Sequence, residues 1–181
     1  SNLGLFNFWF MPSSGDVQPP TGSSICPSVT WPDLTDAAFA EVKVLLHTNE
    51  LRDCAFSGGR VTSEPTSYRT VVHETSHAAF GLPDEYCCDG GYFEVQPVLY
   101  TSSADCNGDP VNASWRNCVS FTASSGTIWW RSEDSTSDIM SSGGSVVLEF
   151  GEADWVVVED VLDGLSSFVN TPSVFAPASW P

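Results

Sequence analysis

The sequence predicts an α+β fold: a small mixed sheet, a central helix and a closing helix. Three observations predict it. Short β-prone runs fill the first third of the chain. A helical segment, Thr66 to Phe80, sits between Pro65 and Gly81, and a second apolar helical pattern covers Glu152 to Leu165.

The elements follow in order. Leu3 to Phe10 (L-G-L-F-N-F-W-F) is rich in aromatics and reads as a strand, and Met11 to Pro32 reads as a long Gly/Pro/Ser-rich loop. Asp33 to Phe39 suits a short helix, and Ala40 to Thr48 reads as a central strand. Ser57-Gly58-Gly59-Arg60 forms a turn, and Arg60 to Ser63 a short edge strand. In the helix from Thr66, Pro65 marks the start and Thr66 or Ser67 the cap. Its expected core face is Tyr68, Val71, Val72, Ser76 and Ala79. Gly81 provides the left-handed C-terminal residue, and Pro83 bars continuation. Cys87 to Gly126 reads as an irregular stretch, tied by a disulfide or functional. Thr127 to Arg131 reads as a short strand and Ser141 to Gly144 as a turn. Trp155, Val158, Val161, Leu162 and Leu165 are the expected inward face of the last helix, and the tail from Asn170 is extended. With no repeat and no strong boundary, residues 1–181 read as one domain.

The formal charge is −17, with 23 acidic residues against six basic ones. Such a surface repels nucleic acid and anionic lipid, because no basic patch is available to neutralise phosphates. No apolar run reaches membrane-spanning length. The acidic excess suits a salty extracellular setting, or carboxylate clusters that hold Ca²⁺ as a structural ion, although no EF-hand spacing is present. Six cysteines without a C-x-x-C pair favour disulfides over a cysteine zinc site. Cys106 with Cys118 is the favoured pair, and the adjacent Cys87 and Cys88 are expected to take different partners. Asn112-Ala113-Ser114 is a glycosylation sequon. Together with the cysteines it points to a secreted glycoprotein, and a start at Ser1 suits a mature or trimmed product.

Residues His73 to Tyr86 read H-E-T-S-H-A-A-F-G-L-P-D-E-Y and open with H-E-x-x-H. Two histidines four residues apart lie on one helix face, one turn apart. Both imidazoles can then hold one ion, with Glu74 placed to take a proton from water. A catalytic zinc needs a third ligand, expected beyond the Gly81 turn from Asp84, Glu85 or Tyr86. Asp84 is preferred, because Gly81 lets it swing under the helix; Glu85 and the distant Asp138 compete. Glu85 is otherwise expected to orient His73 or His77 as an outer acceptor. Tyr86 is expected either to donate to an oxyanion or to pack below the helix. His47, at a strand end, is weighed between the site and simple packing. The motif makes hydrolysis by a zinc enzyme the leading expectation. The alternatives are a closed structural zinc, or a non-catalytic metal-stabilised domain of an extracellular assembly.

The same residues resemble the signature of the IgA-peptidase family of metallopeptidases, H-E-x-x-H-x-x-x-G-L-x-D-E-Y. That family is metzincin-like, with an aspartate where most metzincins place a third histidine. Phe6 to Phe10 with Ser14-Gly15 also resembles it, and Ser137-Asp138-Ile139-Met140 looks like a metzincin Met-turn. The resemblance runs roughly from Phe6 to Leu165. It implies a zincin catalytic domain with zinc on His73, His77 and Asp84, Glu74 as catalytic base, Met140 as an apolar floor beneath the metal and a protein substrate. The strand and long helix that normally open such a fold have no counterpart here. An upstream segment is therefore expected to be removed, replaced or supplied by another chain.

Overall fold

The computed structural model describes residues 8–87, 90–113, 117–132, 138–141 and 149–166. It is mixed α and β, as expected. Two strands, β1 (Asp16–Gln18) and β2 (Ser28–Thr30), form an antiparallel pair inside the stretch expected to be loop. β3 (Lys43–Leu46), β4 (Cys54–Phe56) and β5 (Arg60–Ser63) form a second sheet in the order β3-β5-β4. β3 runs parallel to β5 and β4 antiparallel to it. Then comes α1 (Tyr68–Phe80), followed by β6 (Leu99–Tyr100), α2 (Ser103–Gly108) and α3 (Pro110–Ala113). β7 (Cys118–Thr122) and β8 (Ile128–Ser132) join β6 in an antiparallel sheet of order β6-β8-β7. α4 (Glu152–Ser166) closes the described chain.

The expected edge and central strands exchange places. Arg60–Ser63 lies in the middle of its sheet and the Lys43–Leu46 strand at its border. Val61, Thr62 and Ser63 are all buried, whereas Val44 and Leu46 are exposed. Thr and Ser bury well once their main chain is paired on both sides, so hydropathy alone misranks the two strands. Phe8 to Phe10, the described end of the expected first strand, is not strand; the rest of it lies outside the described residues. Asp33 to Phe39 shortens to a single 3₁₀ turn, Thr35–Ala37.

α1 keeps its expected core face only in part: Ser76 is buried and Val71 and Ala79 are half-buried. Tyr68 and Val72 are exposed, and the buried positions are His73, Glu74 and Ser76. The inward stripe is occupied by the motif's own polar residues. The helix starts at Tyr68 after Ser67, whose hydroxyl pairs with Thr70 Oγ1 at 2.5 Å rather than capping a backbone N–H. Its end is as expected: Gly81 is left-handed (φ 67°) and donates to the His77 carbonyl.

The core gathers Leu82, Val98, Leu99, Ile139, Met140, Ala153, Val158 and Leu162. On α4, Val158 and Leu162 face inward as expected, but Trp155 is exposed and Asp154 takes an inward position instead. The Cys87 to Gly126 stretch holds two short helices and two strands, tied by Cys106–Cys118. Cys26 pairs with Cys54. Cys87 is disulfide-bonded as well, while Cys88 lies outside the described residues, and with it the expectation of different partners. Asn112 is 1% exposed, and its Nδ2 donates to the Tyr100 hydroxyl at 2.9 Å and the Pro97 carbonyl at 3.3 Å. The nitrogen a glycan would join is enclosed in the folded chain, so the sequon does not support glycosylation.

The turn that aligns β3, β4 and β5 sets a demand on glycine. Gly58 and Gly59 are both left-handed (φ 76° and 66°). A Cβ on Gly58 meets open space, whereas one on Gly59 would stand 2.0 Å from the Glu41 carbonyl oxygen. Gly58→Ala is expected to cost the backbone term alone, about 1–2 kcal/mol. Gly59→Ala should cost clearly more, since β3 must shift away. Urea denaturation midpoints of the two variants check this.

Candidate metal centre

The strand β5 leads straight into α1, and α1 presents His73 and His77 one turn apart toward the protein interior. The left-handed Gly81 reverses the chain, so that Leu82 becomes core and Asp84 returns beneath the helix. Each imidazole is held by a main-chain carbonyl. His73 Nδ1 bonds Ile139 O at 2.8 Å, and His77 Nδ1 bonds Leu82 O at 2.6 Å. A carbonyl only accepts, so both Nδ1 atoms donate, and in each neutral ring Nε2 is left as a bare lone pair.

Those lone pairs converge. The two Nε2 atoms are 3.1 Å apart, and Asp84 Oδ1 lies 3.2 Å from His73 Nε2 and 3.3 Å from His77 Nε2. Donors ~2.0–2.2 Å from one tetrahedral ion stand roughly 3.3–3.5 Å apart. The triangle is therefore of the size a zinc-like ion requires. Asp84 Oδ1 is buried and, with both Nε2 atoms unprotonated, meets no hydrogen-bond donor, as expected where a cation belongs. Three electron-rich atoms at this spacing repel one another unless positive charge sits between them. Asp84 thus takes the preferred place among the candidate third ligands.

Without a metal, the positive charge must be a proton. Burial opposes charge on His77, but the Asp84 carboxylate outweighs it, and the His77 pKa rises above its ordinary value. Burial likewise works against ionised Asp84, yet the two imidazoles hold its pKa below the usual carboxylate range.

Glu74 is buried beside the triangle. Desolvation pushes its pKa up, and the neighbouring His77 and His73 oppose that push. Its carboxylate also accepts from the Ala55 backbone N–H of β4, which fixes it against the strand bordering the site.

The turn Asp138 to Ser141 supports the centre from below. Ile139 holds His73, Met140 O accepts from the Glu85 N–H at 3.1 Å, and Met140 is fully buried. The Asp138 carboxylate folds this turn by accepting from Met140 N and Ser141 N. Asp138 is not the third ligand, because its carboxyl lies with Glu85 and Asp154 in a separate buried group. Glu85 is not the acceptor that orients the histidines, since main-chain carbonyls fill both positions; its Oε2 is 3.7 Å from Arg131 Nη1. Burial and the nearby Asp138 charge push the Asp154 pKa up to about 8, and burial pushes that of Asp138 up to about 6.

Tyr86 lines the cleft over the triangle, its ring centroid 6.0 Å from that of His73. It stands beside His73 at the cleft. His47 does not line the cleft. Its Nδ1 bonds Asn49 O at 3.0 Å, and its Nε2 is 3.6 Å from Asp53 Oδ1. Asp53 in turn ties Ser63 and Glu64, so this pair braces the sheet.

Comparison with protein-family models, curated proteins and solved structures finds no match to the chain.

Metal must displace the proton that His77 shares with Asp84. Zinc affinity is therefore expected to fall about tenfold per pH unit below the raised His77 pKa, and to level off above it. Competition titration against a chromophoric chelator at several pH values measures this. At pH 8, Asp84→Ala should weaken zinc binding by more than about 100-fold, beyond the loss of an outer-shell partner.

Proposed function

We propose that the chain is a zinc-dependent endopeptidase of the IgA-peptidase, metzincin-like type, acting on polypeptides outside the cytosol. One observation carries this reading: two carbonyl-locked imidazoles and a buried carboxylate oxygen converge at the spacing of a three-ligand metal site that opens on a cleft. The cleft, ≈310 Å³, is lined by His73, Glu74, His77, Asp84 and Tyr86 on one side and by β4 on the other. A closed structural zinc would need a fourth protein donor, and among the described residues the group holds three.

Zinc, when bound by His73, His77 and Asp84, supplies Lewis acidity that makes a water nucleophilic near neutral pH and polarises a carbonyl. Glu74 accepts the proton of the attacking water and passes it to the departing amine. Its raised pKa suits that exchange, and the Ala55 N–H keeps its carboxylate beside the donors. Tyr86, at the rim, is positioned to donate to the oxyanion. β4 lies at the border of its sheet among the described strands.

One feature supports an extracellular setting. The disulfides Cys26–Cys54 and Cys106–Cys118 suit an oxidising compartment. No helix among the described residues is long and apolar enough to cross a membrane.

Peptide-library digestion tests the reading. Cleavage should stop with a chelator and return with zinc. Glu74→Gln should lower kcat by about 10²–10⁴-fold while retaining one zinc per chain. Zinc at unit stoichiometry with no cleavage of any library would replace the enzyme with a non-catalytic metal-stabilised domain. The acid limb of kcat/KM should lie above the ordinary carboxylate pKa. Glu74 must be ionised to accept the proton, and burial raises its pKa, so activity falls as pH drops through that raised value.

A further inference from the structure

Beneath the zinc triangle lies a second group of donors that the proposed hydrolysis does not use. Glu85, Asp138 and Asp154 are all buried, and each offers a carboxylate oxygen within 4.8 Å of the others. They come from three separate segments: the one after Asp84, the turn that holds His73, and the first turn of α4. Asp154 is wholly enclosed (0% exposed); no N–H or O–H donor reaches its Oδ1, Oδ2 accepts from Gly151 N at 3.3 Å, and its carboxyl lies within hydrogen-bonding reach of Glu85. Among the described residues the guanidinium that faces these three carboxylates is that of Arg131, 3.7 Å from Glu85. With all three ionised, an excess of two negative charges would be shut away from water.

We propose that Glu85, Asp138 and Asp154 form a second cation site, for a hard divalent ion of the calcium class, which fastens the floor of the zinc centre. The donors are all oxygen, which selects hard cations over zinc. They project from three segments of irregular mutual geometry, which calcium tolerates and magnesium does not. A double charge cancels the excess left after Arg131. Gly151 keeps the space open: a Cβ there would stand 2.6 Å from Asp138 Oδ2 and 3.7 Å from Asp154 Oδ2. The ion would join the neighbour of the third zinc ligand, Asp84, to the neighbour of Ile139, whose carbonyl orients His73. Calcium and zinc are therefore coupled through the backbone with no donor in common.

The test uses the full chain, stripped of metal and reloaded with one equivalent of zinc. Calcium titrated into this form should bind at one further equivalent and raise the thermal midpoint by several degrees. Asp154→Asn and, separately, Gly151→Ala should each abolish or greatly reduce that rise while zinc stoichiometry stays at one. The first removes a donor charge without changing shape, and the second blocks the space without removing a donor. The proposal is overturned if the zinc-loaded wild type shows no calcium response, or if both variants respond as it does. It is also overturned if Asp154→Asn raises the calcium-free midpoint and the wild type ignores calcium, since the group then holds protons instead. None of these readouts needs peptidase activity, so the site stands or falls apart from the proposed enzyme.

Discussion

The centre depends on two backbone carbonyls. Ile139 O and Leu82 O take the Nδ1 protons of His73 and His77, and so turn both Nε2 lone pairs toward one point. A histidine four residues from another can face many ways; a histidine donating to a fixed carbonyl faces one. Leu82 and Ile139 both belong to the fully buried core. The orientation of the donors is thus set by the same packing that holds the fold, and loosening that core would blur the site before it unfolded the chain.

The two acidic groups show how burial shapes chemistry. At the triangle, Asp84 is paid for by imidazoles and stays ionised even though it is buried. Deeper in, Glu85, Asp138 and Asp154 face, among the described residues, a single guanidinium, and the pKa values of both aspartates climb. One carboxylate between two imidazoles makes a candidate metal ligand; three carboxylates beside one guanidinium make a group that gathers protons or recruits an ion.

Much of the site was legible in residue order, because its logic is local. His73, Glu74 and His77 occupy successive turns of one helix, Gly81 reverses the chain, and Asp84 follows within reach; spacing alone carries this. The closing helix and the Cys106–Cys118 pair were legible for the same reason. What escaped were features that depend on the rest of the molecule. The carbonyls of Leu82 and Ile139 carry no side-chain signal, since every residue has one. Arg60–Ser63 looked peripheral because Thr and Ser do not look buried, and Tyr68 and Val72 looked buried because apolar residues usually are. Asp154 left a trace that could have been read: with Val158 and Leu162 it sits at i, i+4, i+8, an acid on the apolar stripe. A lone carboxylate on such a face calls for a partner elsewhere in the fold.

The Cys26–Cys54 crosslink fastens the loop between β2's neighbourhood and the first residue of β4, so that both sulfur-bearing residues line the cleft. None of His73, His77 and Asp84 hangs from that tether; they belong to α1 and the turn behind it. In a reducing compartment the proposed metal site would keep its donors in place, while the cleft wall beside it would lose firmness. Metal content would then be a poor gauge of competence, and oxidation state the better one.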